Sequence, residues 1–234
     1  MIVNHVESKS ILTKSKLPDA DYVINPYIGC SHGCVYCYAE FMCRFTGHTQ
    51  EKWGEFIDIK ESYRMPNKGS IKGKTVLLGS STDPYNPMEK KWEKTRSILK
   101  NLADSDAHVE ILTKSPLVLR DMDILQTMRN IRVGISVSTT DQEFARIIER
   151  HAASPGLRFD AMRQLHKAGI PVYAFISPIF PFFSNYKAVV GKVEKYTDQI
   201  CFENLNLRGA YKKVVLDLIG KQFPEKYHAF SLIY

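Results

Sequence analysis

At 234 residues the chain has room for one large domain or two small ones, with a core that needs no disulfide or metal staple. Its 44% hydrophobic and 24% charged residues are ordinary globular composition, and no apolar run approaches the roughly 18 residues of a membrane span. A net charge of +7 admits nucleic acid or other polyanions as partners, although a basic, solvated surface explains it equally well. The opening MIVNHVESKSILTKSK lacks the apolar stretch of a secretory signal. Three of the five cysteines are bunched, which argues against a disulfide framework and places the chain in the reducing cytoplasm.

In chain order, a first strand is predicted around Tyr22–Tyr27, just before the cysteines, with a helix beginning near Ala39. Thr75–Gly79 is a second β-rich run, followed by the loop SSTDPYNP and a helix over about Met88–Leu102 with Trp92, Ile98, Leu99 and Leu102 on its apolar side. Val109–Thr113 is a third, and Pro116 can open the helix that carries Val118, Leu119, Met122 and Leu125. Ile131–Ser138 is a fourth strand, with Asp141 placed to cap the helix behind it. A helix over Arg158–Ala168 ends at Gly169 and leads to a fifth strand, Ile170–Ser177. Helices around Tyr186–Tyr196 and Ala210–Gly220 flank a sixth strand, Gln199–Phe202.

Strand, loop and helix in repetition imply a parallel sheet with right-handed crossovers. Six such units fit an α/β fold of the partial (β/α)6 TIM-type barrel, since a complete eight-unit barrel needs about 250 residues. An open doubly wound sheet is the alternative. Either way the active face lies at the carboxyl ends of the strands.

Within GCSHGCVYCY, Cys30, Cys34 and Cys37 stand at the spacing C-x3-C-x2-C. Structural zinc is usually closed by four ligands, commonly two pairs. Here no second pair exists, and zinc would have to recruit His48 or Cys43. An iron–sulfur cube takes one thiolate per iron, so three local thiols would leave one iron open to a non-protein ligand. Gly29 and Gly33 would let the loop wrap closely around such a bulky group.

The run Cys30, Cys34, Tyr36, Cys37, set after a first strand and before repeated βα units, resembles the signature of the radical S-adenosylmethionine superfamily. NPYIGCSHGCVYCYA, LTKS and TDPYNPMEKKW are similar to the branch containing spore photoproduct lyase. The resemblance covers about Asn25–Arg208, and residues 1–234 read as a single domain of this kind, with a cluster loop at 29–38 and βα units over about 22–220. It implies a [4Fe-4S] cluster on Cys30, Cys34 and Cys37, with S-adenosyl-L-methionine chelating the open iron through its amino and carboxylate groups. One electron from a reductant such as flavodoxin or ferredoxin would cleave the cofactor to methionine and a 5′-deoxyadenosyl radical, which abstracts hydrogen from a substrate.

The same resemblance assigns the surroundings. Tyr36 would lie near the adenine. Lys114, in LTKS, would bind the cofactor carboxylate, and an ammonium is a suitable charge-assisted donor. Ser136 would act similarly, with Ser138 pointing the same way. Ser80 and Ser81 would receive the amino group, and Asp83 would assist them or shape the Asp-Pro turn. One departure matters: the lyase uses a cysteine near the end of strand 2 as hydrogen donor, and GSSTDP carries serine there. A serine O–H bond is too strong for that role, which sets thymine-dimer repair by that route aside. Cys201 is another candidate donor, although a small core residue is the favoured reading. Tyr85 is a radical-relay candidate, although a turn or packing residue is the favoured reading, while Glu203, Asn204, Asn206 and Arg208 stand near the last strand without an assigned role. Charge and lyase-like wording lean towards a nucleic-acid-related substrate, yet no zinc finger, helix-turn-helix or RNA-binding motif is present. A zinc-stabilised nucleic-acid-binding module and a simple iron–sulfur electron carrier are the competing readings.

Overall fold

In the computed structural model, which describes residues 1–234, the chain opens with β1 (Ile2–Glu7), β2 (Leu12–Lys14), β3 (Tyr22–Ile24) and β4 (Tyr27–Ile28). A 3-10 segment, Tyr38–Phe45, follows the cysteines and leads to β5 (Phe56–Glu61), β6 (Thr75–Leu78), α1 (Glu89–Trp92), α2 (Lys94–Leu102) and β7 (His108–Thr113). Next come α3 (Met122–Leu125), β8 (Ile131–Ser136), α4 (Gln142–Ile148), α5 (Pro155–Lys167) and β9 (Val172–Ile179). The chain closes with α6 (Tyr186–Val193), β10 (Gln199–Asn204), α7 (Tyr211–Gln222) and α8 (Pro224–Ser231). No helix is long and apolar enough to cross a membrane.

The six expected strands pair in parallel and in chain order, β3-β6-β7-β8-β9-β10, with β2 added antiparallel at the β3 edge. The order never reverses, so the sheet is a partial barrel and not a doubly wound one. Alternation along each strand sets two faces. Val109, Ile111, Val133, Ile135, Val172 and Ala174 pack into one core with helix residues such as Leu99, Leu125, Met162 and Leu165. The positions between them turn to the inner face and are mixed in polarity. There Arg132 lies over the Tyr173 ring at 4.8 Å and reaches Glu110 at 2.5 Å and Gln199 at 2.6 Å. Tyr173 crosses Gly134 so closely that a Cβ there would sit 2.1 Å from the ring.

Several elements depart from expectation for local reasons. A second sheet, β1-β5-β4, pairs segments distant in the chain, such as Ile2 with Phe56 and Tyr27 with Ile59, and was not foreseen. The expected helix at Ala39 is 3-10, and no side chain caps it at Cys37. The helix expected over 88–102 breaks at Glu93, whose φ is +47°. The cause is the buried Glu89 carboxylate, which accepts the N–H groups of Thr95 (2.9 Å) and Arg96 (3.2 Å) and so caps α2 from inside. Asp141 caps α4 as predicted, accepting from Glu143 and Phe144.

Candidate active site at the strand ends

The cysteine loop leaves β4 through Gly29, at φ +89°, where a Cβ would lie 2.5 Å from the Phe56 carbonyl oxygen. Only glycine fits such an approach in that conformation. The loop is then stitched to the carboxyl ends of the sheet. Thr82, beyond β6, donates its hydroxyl to the Gly29 carbonyl (2.6 Å), and Val35 donates its N–H to Ile148 at the end of α4 (2.9 Å). Cys34 forms a β-bridge with Glu149, and the His151 N–H reaches the His32 carbonyl at 3.0 Å.

Cys30 is buried, and Cys34 and Cys37 are half-buried; all are free thiols. Burial pushes each of the three up to about 12, with neighbouring thiols adding to the effect. The Trp53 indole N–H donates to Cys37 Sγ at 3.1 Å. No three Cys, His, Asp or Glu side chains converge tightly enough to grip one ion. The suggested extra zinc ligand His48 is already held by Asp58 at 2.9 Å and stacked on Phe56 at 3.7 Å.

Beside the thiols lies a charged network. Lys114 follows β7 with its ammonium 5.9 Å from the Tyr36 ring centre. Burial works against that charge, but Cys34 and Glu149 outweigh it and hold the Lys114 pKa above its usual value. Glu149 is 2% exposed and accepts from the Tyr36 hydroxyl and from Arg158 (2.5 Å). Burial raises its carboxyl, yet Arg158 and Lys114 bring it below the ordinary range. Arg158, 1% exposed, also donates to the carbonyls of Ser136 (3.1 Å) and Ala153 (2.8 Å).

Asp83 is a strand-end tie. It accepts from Thr113 Oγ1 (2.6 Å), the Lys114 N–H (2.7 Å) and the Tyr85 N–H (2.9 Å), and lies 3.1 Å from His32 Nε2. Burial opposes its charge, but His32 and these donors bring the carboxyl down to about 2. Ser80 Oγ accepts from Asn25 Nδ2 (2.9 Å), and the Ser81 N–H donates to Asn25 Oδ1 (3.1 Å), which zips the end of β3 to the end of β6. Ser136 donates to the Ser177 carbonyl at 3.2 Å. Ser138, 1% exposed, has a hydroxyl with no partner at all.

The ends of β3 and β6 are thus tied together, as are those of β8 and β9, and Ser177 of β9 donates its hydroxyl to Glu203 of β10 at 2.5 Å. Cys201 is half-buried; its neighbour Ile200 packs on the helix-side core, so the thiol turns to the inner face and is not the core residue favoured above. Tyr85 is buried and bonded to Asp121 (3.0 Å), as a packing residue should be. Asn204, at the end of β10, and Asn206 and Arg208, beyond it, are exposed. The sequence reading missed Glu149, Arg158, Asn25 and Trp53. A signal existed for Arg158: it shares a helical stripe with Ala161, Met162 and Leu165, where a charge needs a partner.

The family model described as the Radical SAM superfamily matches residues 24–185. An uncharacterized protein of Methanocaldococcus jannaschii is 39% identical over 228 residues, covering 97% of this chain and 85% of that one. A spore photoproduct lyase variant with dinucleoside spore photoproduct superposes with a TM-score of 0.70 at 16% identity, over 95% of this chain and 66% of the lyase. Another variant, with bound AdoMet and the same dinucleoside, gives 0.63 at 17% identity, over 92% and 64%. At such identities the likeness speaks to the fold alone, and this chain spans just under two-thirds of the lyase's length. Membership of the family implies S-adenosylmethionine and an iron–sulfur cluster as cofactors. With a partial barrel, a matching family model over most of its length and a close archaeal relative, the chain belongs to the radical SAM superfamily.

Proposed function

We propose that this radical SAM enzyme holds a [4Fe-4S] cluster on Cys30, Cys34 and Cys37 and acts on a nucleic-acid-related substrate. The observation that carries the cofactor reading is three thiols in one glycine-shaped loop with the Lys114 ammonium beside Tyr36 of that loop; just past β8 the buried Ser138 hydroxyl also lacks a partner. The donor set fits: three thiols suit three irons, and a buried hydroxyl without a partner suits a polar ligand that completes it. Together the two cofactors supply one-electron cleavage of a carbon–sulfur bond and a radical able to remove hydrogen from substrate.

This chain's residues do the rest. Lys114 would orient a carboxylate, with Cys34 and Glu149 keeping it charged. Glu149 anchors the Tyr36 hydroxyl and so sets the ring beside the thiols, while Arg158 holds Glu149 and the end of β8 in register. Ser136 ends β8 and Ser138 follows it, while Ser80 and Ser81 stand in the loop after β6. Ser80 already has a partner in Asn25, so its part is to hold the rim as much as to bind. Residues 1–234 serve as one catalytic domain. For the substrate, the support is the charge of +7 and the dinucleoside carried by the lyase structure. No thiol stands at the end of β6 to return hydrogen, so the outcome differs from lesion reversal by that route.

The test is anaerobic reconstitution of the full chain, reduction, and chromatography of the products. About four irons per chain and release of methionine with 5′-deoxyadenosine are expected, and Cys34→Ala should retain no cluster. A colourless chain with one zinc, or a cluster that never cleaves the cofactor, would sink the proposal.

A further inference from the structure

Residues 46–55 carry the chain from the 3-10 segment to β5, and their last turn lies directly on the cysteine loop. Gly54, at φ +99°, comes so close to Gly33 that a Cβ would sit 2.7 Å from the Gly33 Cα. Phe56 closes on Gly29 in the same way. Between these two contacts the half-buried Trp53 aims its indole N–H at Cys37 Sγ, 3.1 Å away. The indole is braced from behind. It meets Phe56 edge-on at 5.7 Å; Phe56 stacks on His48 at 3.7 Å; His48 is bonded to Asp58 at 2.9 Å. Asp58 also accepts from Asn4 of β1 at 3.0 Å, so the stack is rooted in the second sheet.

From this geometry we infer that Trp53 tunes the reduction potential of the cluster through its hydrogen bond to Cys37. An indole N–H only donates, so the sign of the interaction is fixed. Adding an electron places more negative charge on the thiolate sulfurs, and a donor aimed at one of them stabilises the reduced state more than the oxidised one. Trp53 therefore makes the cluster easier to reduce. The small sheet serves as the mount that holds the donor in place. Trp53 is a positioning residue, since it acts through Cys37 and touches neither cofactor carbon nor substrate. The inference rests on the assignment of Cys37 as a cluster ligand.

The experiment compares the full-length wild type with Trp53→Phe, which keeps a ring against Phe56 and deletes the donor. Each is reconstituted anaerobically, and the reduced cluster is titrated against solution potential by electron paramagnetic resonance. The variant should keep its iron content and show a tenfold lower reduced-to-oxidised ratio at fixed poise, a shift of about 59 mV to lower potential for one electron. Trp92→Phe, altered at the only other tryptophan, should leave the potential where it was. An unchanged potential in Trp53→Phe with full iron overturns the inference. If that variant loads no cluster, the wild type grown with 15N-indole tryptophan decides: electron spin echo modulation of the reduced cluster should show one nitrogen coupling, and silence overturns the inference. A wild type that binds no cluster instead brings down the ligand assignment itself, and this inference with it.

Discussion

At Lys114 a cation keeps its charge in a place where burial alone would work against it. Cys34 and Glu149 supply the opposing field, and that field is what a bound carboxylate would share. A hydrogen bond to a charged group contributes about 1.5–3 kcal/mol. Lys114→Met should therefore weaken S-adenosylmethionine binding by roughly ten- to a hundredfold, read by equilibrium dialysis on cluster-loaded protein with unchanged iron content. Equal affinity in the variant would remove Lys114 from the cofactor site. Lys114 was picked out by the resemblance of LTKS to the lyase-like branch; by local sequence alone it reads equally well as a solvated loop lysine. Glu149 gave no such sign: its meaning comes from Tyr36, which lies 113 residues away in the chain. Trp53 was equally silent, since an isolated tryptophan in a polar stretch has nothing nearby to show which acceptor it meets.

At the scale of elements, the joint between α1 and α2 shows one residue acting as a cap at a distance. Glu89 is 0% exposed and receives the Tyr27 hydroxyl (2.5 Å), two N–H groups of α2 and Arg120 (2.7 Å). Deleting Glu89 leaves the Tyr27 hydroxyl and two α2 N–H groups without their acceptor, at about 1–3 kcal/mol per buried group and so about 3–5 kcal/mol in all, while Arg120 keeps its bonds to Asp121. Glu89→Ala should lower unfolding stability by about that amount in urea titration, while a loss within a few tenths would mean the network is solvated and dispensable. The helix over 88–102 was legible as one helix because its apolar positions keep a helical period. Its break was not, since the carboxylate that causes it turns inward only once β4 and α2 pack around it. Likewise the six parallel strands were readable as short β-rich runs at regular intervals. The sheet β1-β5-β4 was not, because its strands find each other only in three dimensions.

For the whole molecule, the charge of +7 has a consequence that solution binding can test. If a nucleic-acid backbone is the partner, Lys and Arg displace counterions from phosphates, and affinity falls linearly with the logarithm of salt. Single-stranded oligonucleotide binding, followed by anisotropy, should lose about tenfold or more between 50 and 200 mM salt; a flat response would point to a small or neutral substrate. What the sequence alone determined is local and periodic: the spacing of Cys30, Cys34 and Cys37, the β-rich runs that make strands and their alternation with helices, which makes the pairing parallel. Those properties are carried by neighbouring residues and by the right-handedness of βα crossovers, so they need no tertiary context. What only the tertiary structure decided is which distant groups meet: Glu149 with Arg158 and Tyr36, Asn25 with the rim of β6, and Trp53 with Cys37. Such meetings depend on the packing of several elements at once, and no short stretch of chain holds that information.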